Sequence, residues 1–306
     1  MTRWHLVRPS TRAFRREWRK VKDYSFLEFL HGYVYSRWPY LYIGTAIGTR
    51  RPPFLVRPLV LFGLWMGARR KPDAEPGRNP FADSYHGKVV PLDLAEELVT
   101  VKVDLELRGL EQVVPYPVAR DLVLRNPDHL VALECPCRAA REKPCLPLDV
   151  CLIVGEPFTS FIAEHHPTRS RWITQAEAVE ILRAEHERGH VHHAFFKDAM
   201  LGRFYAICNC CSCCCGAMQA FAHGVPMLAS SGYVCRVEDS SCARCGVCVK
   251  VCPFHALEMG ETAVRVNTAH CMGCGVCVSK CPKEALSLVR DATKPAPLDL
   301  RELVAS

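Results

Sequence analysis

Cys242-Ala243-Arg244-Cys245-Gly246-Val247-Cys248-Val249-Lys250-Val251-Cys252-Pro253 and Cys271-Met272-Gly273-Cys274-Gly275-Val276-Cys277-Val278-Ser279-Lys280-Cys281-Pro282 are two copies of one pattern. Every cysteine of the first has its counterpart 29 positions later. The flanks repeat too: Gly246-Val247 matches Gly275-Val276, and Ala256-Leu257 matches Ala285-Leu286. Between the copies, Ala256–Met259 and Ala263–Val266 read as short hairpin strands bridged by Gly260-Glu261-Thr262. Pro253 and Pro282 lack an N–H and end the short helical turn after each fourth cysteine.

The spacing C-x2-C-x2-C-x3-C-P is the run that binds [4Fe–4S] cubanes. Three thiolates of a run take three corners of a cube, and the fourth points away toward the other cube. Zinc sites pair two C-x2-C hairpins across a spacer, so neither zinc nor a disulfide framework suits so dense a run. On these motifs, residues 231–290 resemble a bacterial-type two-cluster ferredoxin domain with a pseudo-two-fold repeat. The resemblance implies one cluster on Cys242, Cys245, Cys248 and Cys281, and the other on Cys271, Cys274, Cys277 and Cys252. It also implies one-electron transfer, since a cube changes charge without bonding to a substrate. Gly246, Gly273 and Gly275 let backbone N–H groups approach sulfur. Val247, Val249, Val251, Val276 and Val278 supply apolar cover.

At 306 residues the chain allows about two domains. Its 19 cysteines are a very high count for this length. Met1–Ser10 holds Arg3, His5 and Arg8 and no apolar core, so no signal peptide is expected. Arg15-Arg16 is followed by charged residues where twin-arginine export needs an apolar stretch. The expectation is a cytoplasmic protein of a reducing, low-oxygen setting. The formal charge of +7 falls to about +3 once two oxidised clusters at about −2 each are added.

Residues 1–85 form a basic, aromatic-rich segment. Met1–Lys22 carries six arginines and two lysines against Glu17. Tyr33–Ile43 and Phe54–Gly67 are rich in aromatic and aliphatic residues, yet too short and interrupted to span a bilayer. Two readings stand: short helices packed on the next domain, or peripheral docking of the segment on acidic lipid or an acidic partner. Ala68–Pro80 reads as a linker.

Residues 86–230 form a cysteine-rich α/β module, which makes the whole chain α+β, and residues 291–306 form a C-terminal tail. Val89–Leu92 reads as a strand leading into a helix near Leu94–Leu98. Val101–Leu107 reads as a half-exposed strand, and Pro117–Arg125 as a helix stopped by Asn126-Pro127. His129–Leu133 and Cys151–Val154 read as strands. Thr174-Gln175-Ala176-Glu177 is a capping box opening a helix to about Arg188, with Ala178, Ile181, Leu182 and Ala184 inward.

This module holds Cys135, Cys137, Cys145 and Cys151, then Cys208, Cys210, Cys211, Cys213, Cys214 and Cys215. Six cysteines in eight residues cannot all face one core or bind one ion. The arithmetic allows at most two four-cysteine centres with two thiols left over. An additional centre is expected, either a third iron–sulfur cluster or zinc, with dithiol–disulfide chemistry the other alternative. Cys135-Pro136-Cys137-Arg138, the downstream cysteines, Gly189-His190-Val191-His192 and Cys208–Cys215 together resemble a module of little-characterised anaerobe iron–sulfur proteins, where it also precedes a two-cluster ferredoxin domain. That resemblance covers about 86–290 and implies a redox protein.

His190, His192 and His193 are candidate ligands or proton relays. Arg138 could neutralise a thiolate or pair with Glu134, and Cys235 has no assigned partner. There is no dinucleotide fingerprint, P-loop or nucleophile triad, so no nucleotide cofactor is expected; nor is nucleic-acid binding. The leading reading is an electron-transfer protein with redox protein partners. The alternatives are a catalytic subunit of a redox enzyme with a substrate-binding cluster in the central module, and a redox or metal sensor.

Overall fold

The computed structural model describes residues 7–22, 24–69 and 79–305. Arg3 and His5 of the basic run, and nearly all of the expected linker at 68–80, lie outside them.

The chain opens with four helices, α1 (Pro9–Trp18), α2 (Phe26–Arg37), α3 (Pro39–Ala46) and α4 (Arg57–Ala68). Proline in the first turn starts α1, α3 and α4, where its missing N–H costs nothing. A reciprocal Ser25–Glu28 capping box starts α2. These helices pack on the central module: buried Phe14 meets the rings of Phe158 and Phe161 at 6.1 and 5.7 Å. Tyr35 and Tyr205 hydroxyls lie 2.7 Å apart, and Tyr40 donates to the Glu134 carbonyl. Phe54 and Leu55 are different, being 88% and 87% exposed.

Next come α5 (Pro80–Ser84), β1 (Tyr85–Val89), α6 (Leu92–Val99), β2 (Leu105–Leu107), β3 (Leu122–Leu124), β4 (Leu130–Leu133), α7 (Pro136–Ala139) and β5 (Cys151–Val154). After these are α8 (Phe158–His165), β6 (Ser170–Ile173), α9 (Gln175–Glu187), β7 (Val191–Lys197), β8 (Arg203–Cys210), α10 (Gly216–Ala222) and β9 (Leu228–Ala229). Seven of these strands make one sheet in the order β6-β4-β5-β8-β7-β1-β9, antiparallel except for β1 with β9. Every residue of β7 is buried, because the sheet is covered on both faces, as a near-continuous apolar strand requires.

Four expectations for this region need correction. Pro117–Arg125 is not a helix: Ala119 and Asn126 have φ of 58° and 47°, and Leu122–Leu124 pairs with Leu105–Leu107. The apolar run Leu122-Val123-Leu124 is buried on both sides, which a strand satisfies and an amphipathic helix does not. Only the end of Val101–Leu107 is strand. The strand expected at Val89–Leu92 ends at Val89, and Pro91, unable to donate to a ladder, caps α6 instead. In α9 the capping box holds, but Ala184 is exposed, and Glu185 and His186 face inward with Ala178 and Leu182.

The remaining elements are β10 (Tyr233–Val237), α11 (Val247–Val251), β11 (Leu257–Met259), β12 (Val264–Val266), α12 (Val276–Ser279), β13 (Leu286–Arg290) and α13 (Leu300–Ala305). β11 and β12 form the expected hairpin, and β10 pairs antiparallel with β13. The last segment returns to the sheet: Lys88 of β1, fully buried, donates through Nζ to the Ala296 carbonyl at 2.7 Å, and Leu298 is buried.

Candidate metal centres

Two small cavities in the C-terminal region, about 20 Å³ each, are framed by cysteine. Cys242, Cys245, Cys248 and Cys281 line one; Cys252, Cys271, Cys274 and Cys277 line the other, together with Cys235. Each cavity thus draws its fourth cysteine from the other motif. Gly246, Gly273 and Gly275 all adopt positive φ (72°, 63° and 80°), which glycine alone does without strain. Gly273 also has no room for a side chain, since a Cβ would lie 2.2 Å from the Tyr233 carbonyl oxygen.

The donor set suits an iron–sulfur cluster. Backbone N–H groups of Ala256, Ala285 and Cys235 donate to the sulfurs of Cys252, Cys281 and Cys271, each at 3.3 Å. Such donors favour the anionic thiolate. Burial pushes the Cys271 and Cys274 thiols up, and contact with Cys235 together with burial does so for Cys277. Four buried thiols held so close therefore ionise together only around a cationic centre.

A family model described as a 4Fe-4S dicluster domain matches residues 235–282. No curated protein and no solved structure matches the chain. The chain is therefore a mixed α/β protein whose C-terminal region is ferredoxin-like, and this supports an iron–sulfur electron-transfer role. Cys235, unassigned in the sequence, opens the matched stretch, and its backbone N–H serves Cys271.

The ten central cysteines divide four and six, not four, four and two. Cys145, Cys211, Cys213 and Cys214 have sulfurs all within 4.8 Å of one another, the one such ligand group among the described residues. A tetrahedral ion at about 2.3 Å from each sulfur sets neighbouring sulfurs about 3.8 Å apart, so this group fits a single ion. A cube places an iron–sulfur core between its thiolates and spreads them further. Burial pushes Cys145 up to about 11, mainly ahead of its contact with Cys213. At Cys213 burial acts the same way, but contacts from Cys145, Cys211 and Cys214 outweigh it and lower the thiol below its usual value.

The other six, Cys135, Cys137, Cys151, Cys208, Cys210 and Cys215, line an apolar cavity of about 160 Å³ beneath α3. Cross-strand register sets Cys151 opposite Cys208, with sulfurs 3.0 Å apart. Cys210 and Cys215 sulfurs are 3.3 Å apart. Tyr35, Tyr42, Tyr85 and Tyr205 form the far wall. Against that wall the Lys197 amine sits over the rings of Tyr35, Tyr42 and Tyr85 at 4.6, 5.4 and 4.3 Å, and burial lowers it to about 7. Neither the tyrosines nor Lys197 is a candidate on sequence grounds; a lysine ending the apolar run Ala194-Phe195-Phe196 is the available signal.

Arg138 pairs with Glu185 at 2.5 Å, not with Glu134, and both side chains are 1% exposed. It also donates to the Pro147 and Asn209 carbonyls, so it ties the Cys135–Cys151 loops to β8. His190 lies 2.6 Å from Glu185. Burial lowers His192 to about 4 and His193 to about 3, so both are neutral near pH 7 and unsuited to relaying protons there. No described helix is long and apolar enough to cross a membrane.

Proposed function

We propose that this chain is an electron-transfer protein carrying two [4Fe–4S] clusters and one further metal centre, and that it exchanges electrons with redox protein partners. The carrying observation is the pair of cavities, each framed by four cysteines drawn from both motifs. Cys242, Cys245, Cys248 and Cys281 would hold one cluster and Cys252, Cys271, Cys274 and Cys277 the other, related by the pseudo-two-fold of the sequence repeat. When bound, the clusters supply one-electron chemistry. The residues supply thiolates, N–H donors that offset their charge, and apolar cover that tunes potential.

The further centre is a single ion, zinc by donor type, at Cys145, Cys211, Cys213 and Cys214; their close spacing supports an ion over a cube. Exposed Phe54 and Leu55, beside Arg50, Arg51 and Arg57, support peripheral contact with acidic lipid. The reading is tested by iron, sulfide and zinc analysis of anaerobic protein with EPR after reduction. Eight or more irons with matching sulfide and fast-relaxing S = 1/2 signals are expected. Fewer than about four irons, with zinc in the C-terminal sites, would sink it.

A further inference from the structure

We propose that the six-thiol cavity holds a third iron–sulfur cluster, linked to the Cys252/Cys271/Cys274/Cys277 site through His186, His192 and Asn209. This deepens the electron-transfer reading and rests on it for the source of electrons.

Three observations separate this cavity from the four-thiol site. Its sulfurs are arranged as close pairs around a space, Cys151 with Cys208 and Cys210 with Cys215, and no three of the six fall within 4.8 Å of one another. That layout faces a polynuclear core and not an ion. The space is about 160 Å³ against about 20 Å³ in each C-terminal cavity, so it is roomier than the sites that suit a cubane. Sulfur is also the sole strong metal donor on its wall: no histidine or carboxylate lines it. Soft thiolate donors select iron–sulfur over hard cations.

The link rests on contacts. Asn209 lies between Cys208 and Cys210, and its side-chain carbonyl is 2.6 Å from His192 Nδ1. The His192 ring stacks on His186 at 5.5 Å between centroids. His186 in turn reaches the cysteine loop of the C-terminal region, where a Cβ on Gly275 would lie 3.9 Å from its Cε1. Gly275 follows Cys274 directly. Each transfer along this route oxidises one cluster by one electron and reduces the other by one. The electron is supplied from outside by a redox partner, or by dithionite in the test, and no proton has to move.

The test is iron and zinc content with EPR on the full chain, reconstituted anaerobically with iron and sulfide and reduced with dithionite. The unaltered chain should hold about twelve irons, falling to about eight in Cys151→Ala/Cys208→Ala, while zinc stays near one per chain. Cys145→Ala/Cys213→Ala should lose the zinc and keep the iron. In the reduced chain, spin coupling to the third cluster should broaden the C-terminal signals, and that broadening should vanish in Cys151→Ala/Cys208→Ala. About eight irons in the unaltered chain, all lost in Cys248→Ala/Cys274→Ala, would overturn the third cluster and leave the electron-transfer reading intact. About four irons that survive Cys248→Ala/Cys274→Ala would do the reverse. A third cluster without broadening would overturn the link. Thermal unfolding by circular dichroism checks that the variants fold; if one does not, the iron count of the unaltered chain decides.

Discussion

In the C-terminal region each cavity takes three of its four cysteines from seven consecutive residues, Cys242–Cys248 or Cys271–Cys277. In the central module the six cysteines of the large cavity come from a loop after β4, from β5, from β8 and from the start of α10. The first arrangement needs two glycine-bearing turns and a short helix. The second needs a seven-stranded sheet in correct register, because Cys151 and Cys208 meet only through the β5–β8 ladder. Locally coded ligands can be re-formed by a short segment around its metal, whereas ligands gathered by a sheet are held in place by the fold.

The sharpest way to break this comparison is the crossed fourth ligand. Cys281→Ala should remove the cluster bound by the first motif, and Cys252→Ala the one bound by the second, each lowering iron by about four per chain. If Cys281→Ala instead erased the cluster of its own motif, the local account would fail; EPR combined with Cys245→Ala and Cys274→Ala tells them apart.

A second test strikes the fold-held side. Arg138→Met strips a buried carboxylate of its partner and should cost about 3–5 kcal/mol in urea unfolding of the sheet. Arg138→Met/Glu185→Leu should recover much of that loss. A loss below about 1 kcal/mol in the single variant would mean that the cysteine loops are not anchored by this residue.

The third concerns docking of the opening helices. Burial, with Arg8 and Arg37 nearby, lowers His165 to about 4; the ring packs on Phe161 at 4.1 Å. Its folded value lies below the unfolded value of about 6.5, so its contribution is complete above pH 6.5 and is lost as pH falls toward 4. Thermal stability should therefore drop over that window by on the order of 2–3 kcal/mol, and His165→Leu should flatten this part of the profile. An unchanged profile would remove His165 from the account.

The smallest effect belongs to Gly246. A Cβ there meets only Met259 Sδ at 3.5 Å, so Gly246→Ala should cost only the left-handed backbone penalty, about 1–2 kcal/mol, read from thermal loss of iron. Gly273→Ala, which collides with backbone, should be far worse. Equal effects would show that φ, not space, limits both turns.

Legibility in the sequence runs along the same divide. The cysteine repeat, the hairpin and the three glycines can be read because every constraint lies within a dozen residues. The capping box of α9 and the strand Cys151–Val154 are legible for that reason too. Pro117–Arg125 misleads because its partner strand lies elsewhere in the chain and tertiary pairing overrides the local pattern. The division of the ten central cysteines cannot be read locally at all: it depends on which face of β5 and β8 each side chain occupies, and on a turn that sends Cys211, Cys213 and Cys214 away from Cys210 and Cys215. Arg138 stands out beside Cys137, but its partner Glu185 sits on a helix whose polar residues normally face water.

Lys88 carries one more consequence. Its buried amine, lowered to about 7 by burial with Arg290 nearby, is answered by the Ala296 carbonyl. During synthesis β1 emerges early, while the acceptor for its amine is made 208 residues later, after both cysteine motifs. A chain interrupted anywhere before Ala296 keeps an unanswered amine in its first strand, at a cost of about 1–3 kcal/mol. The sheet would thus reach full stability only after the ribosome has passed the last cysteine, so that partial translation products would be the easier prey for proteases.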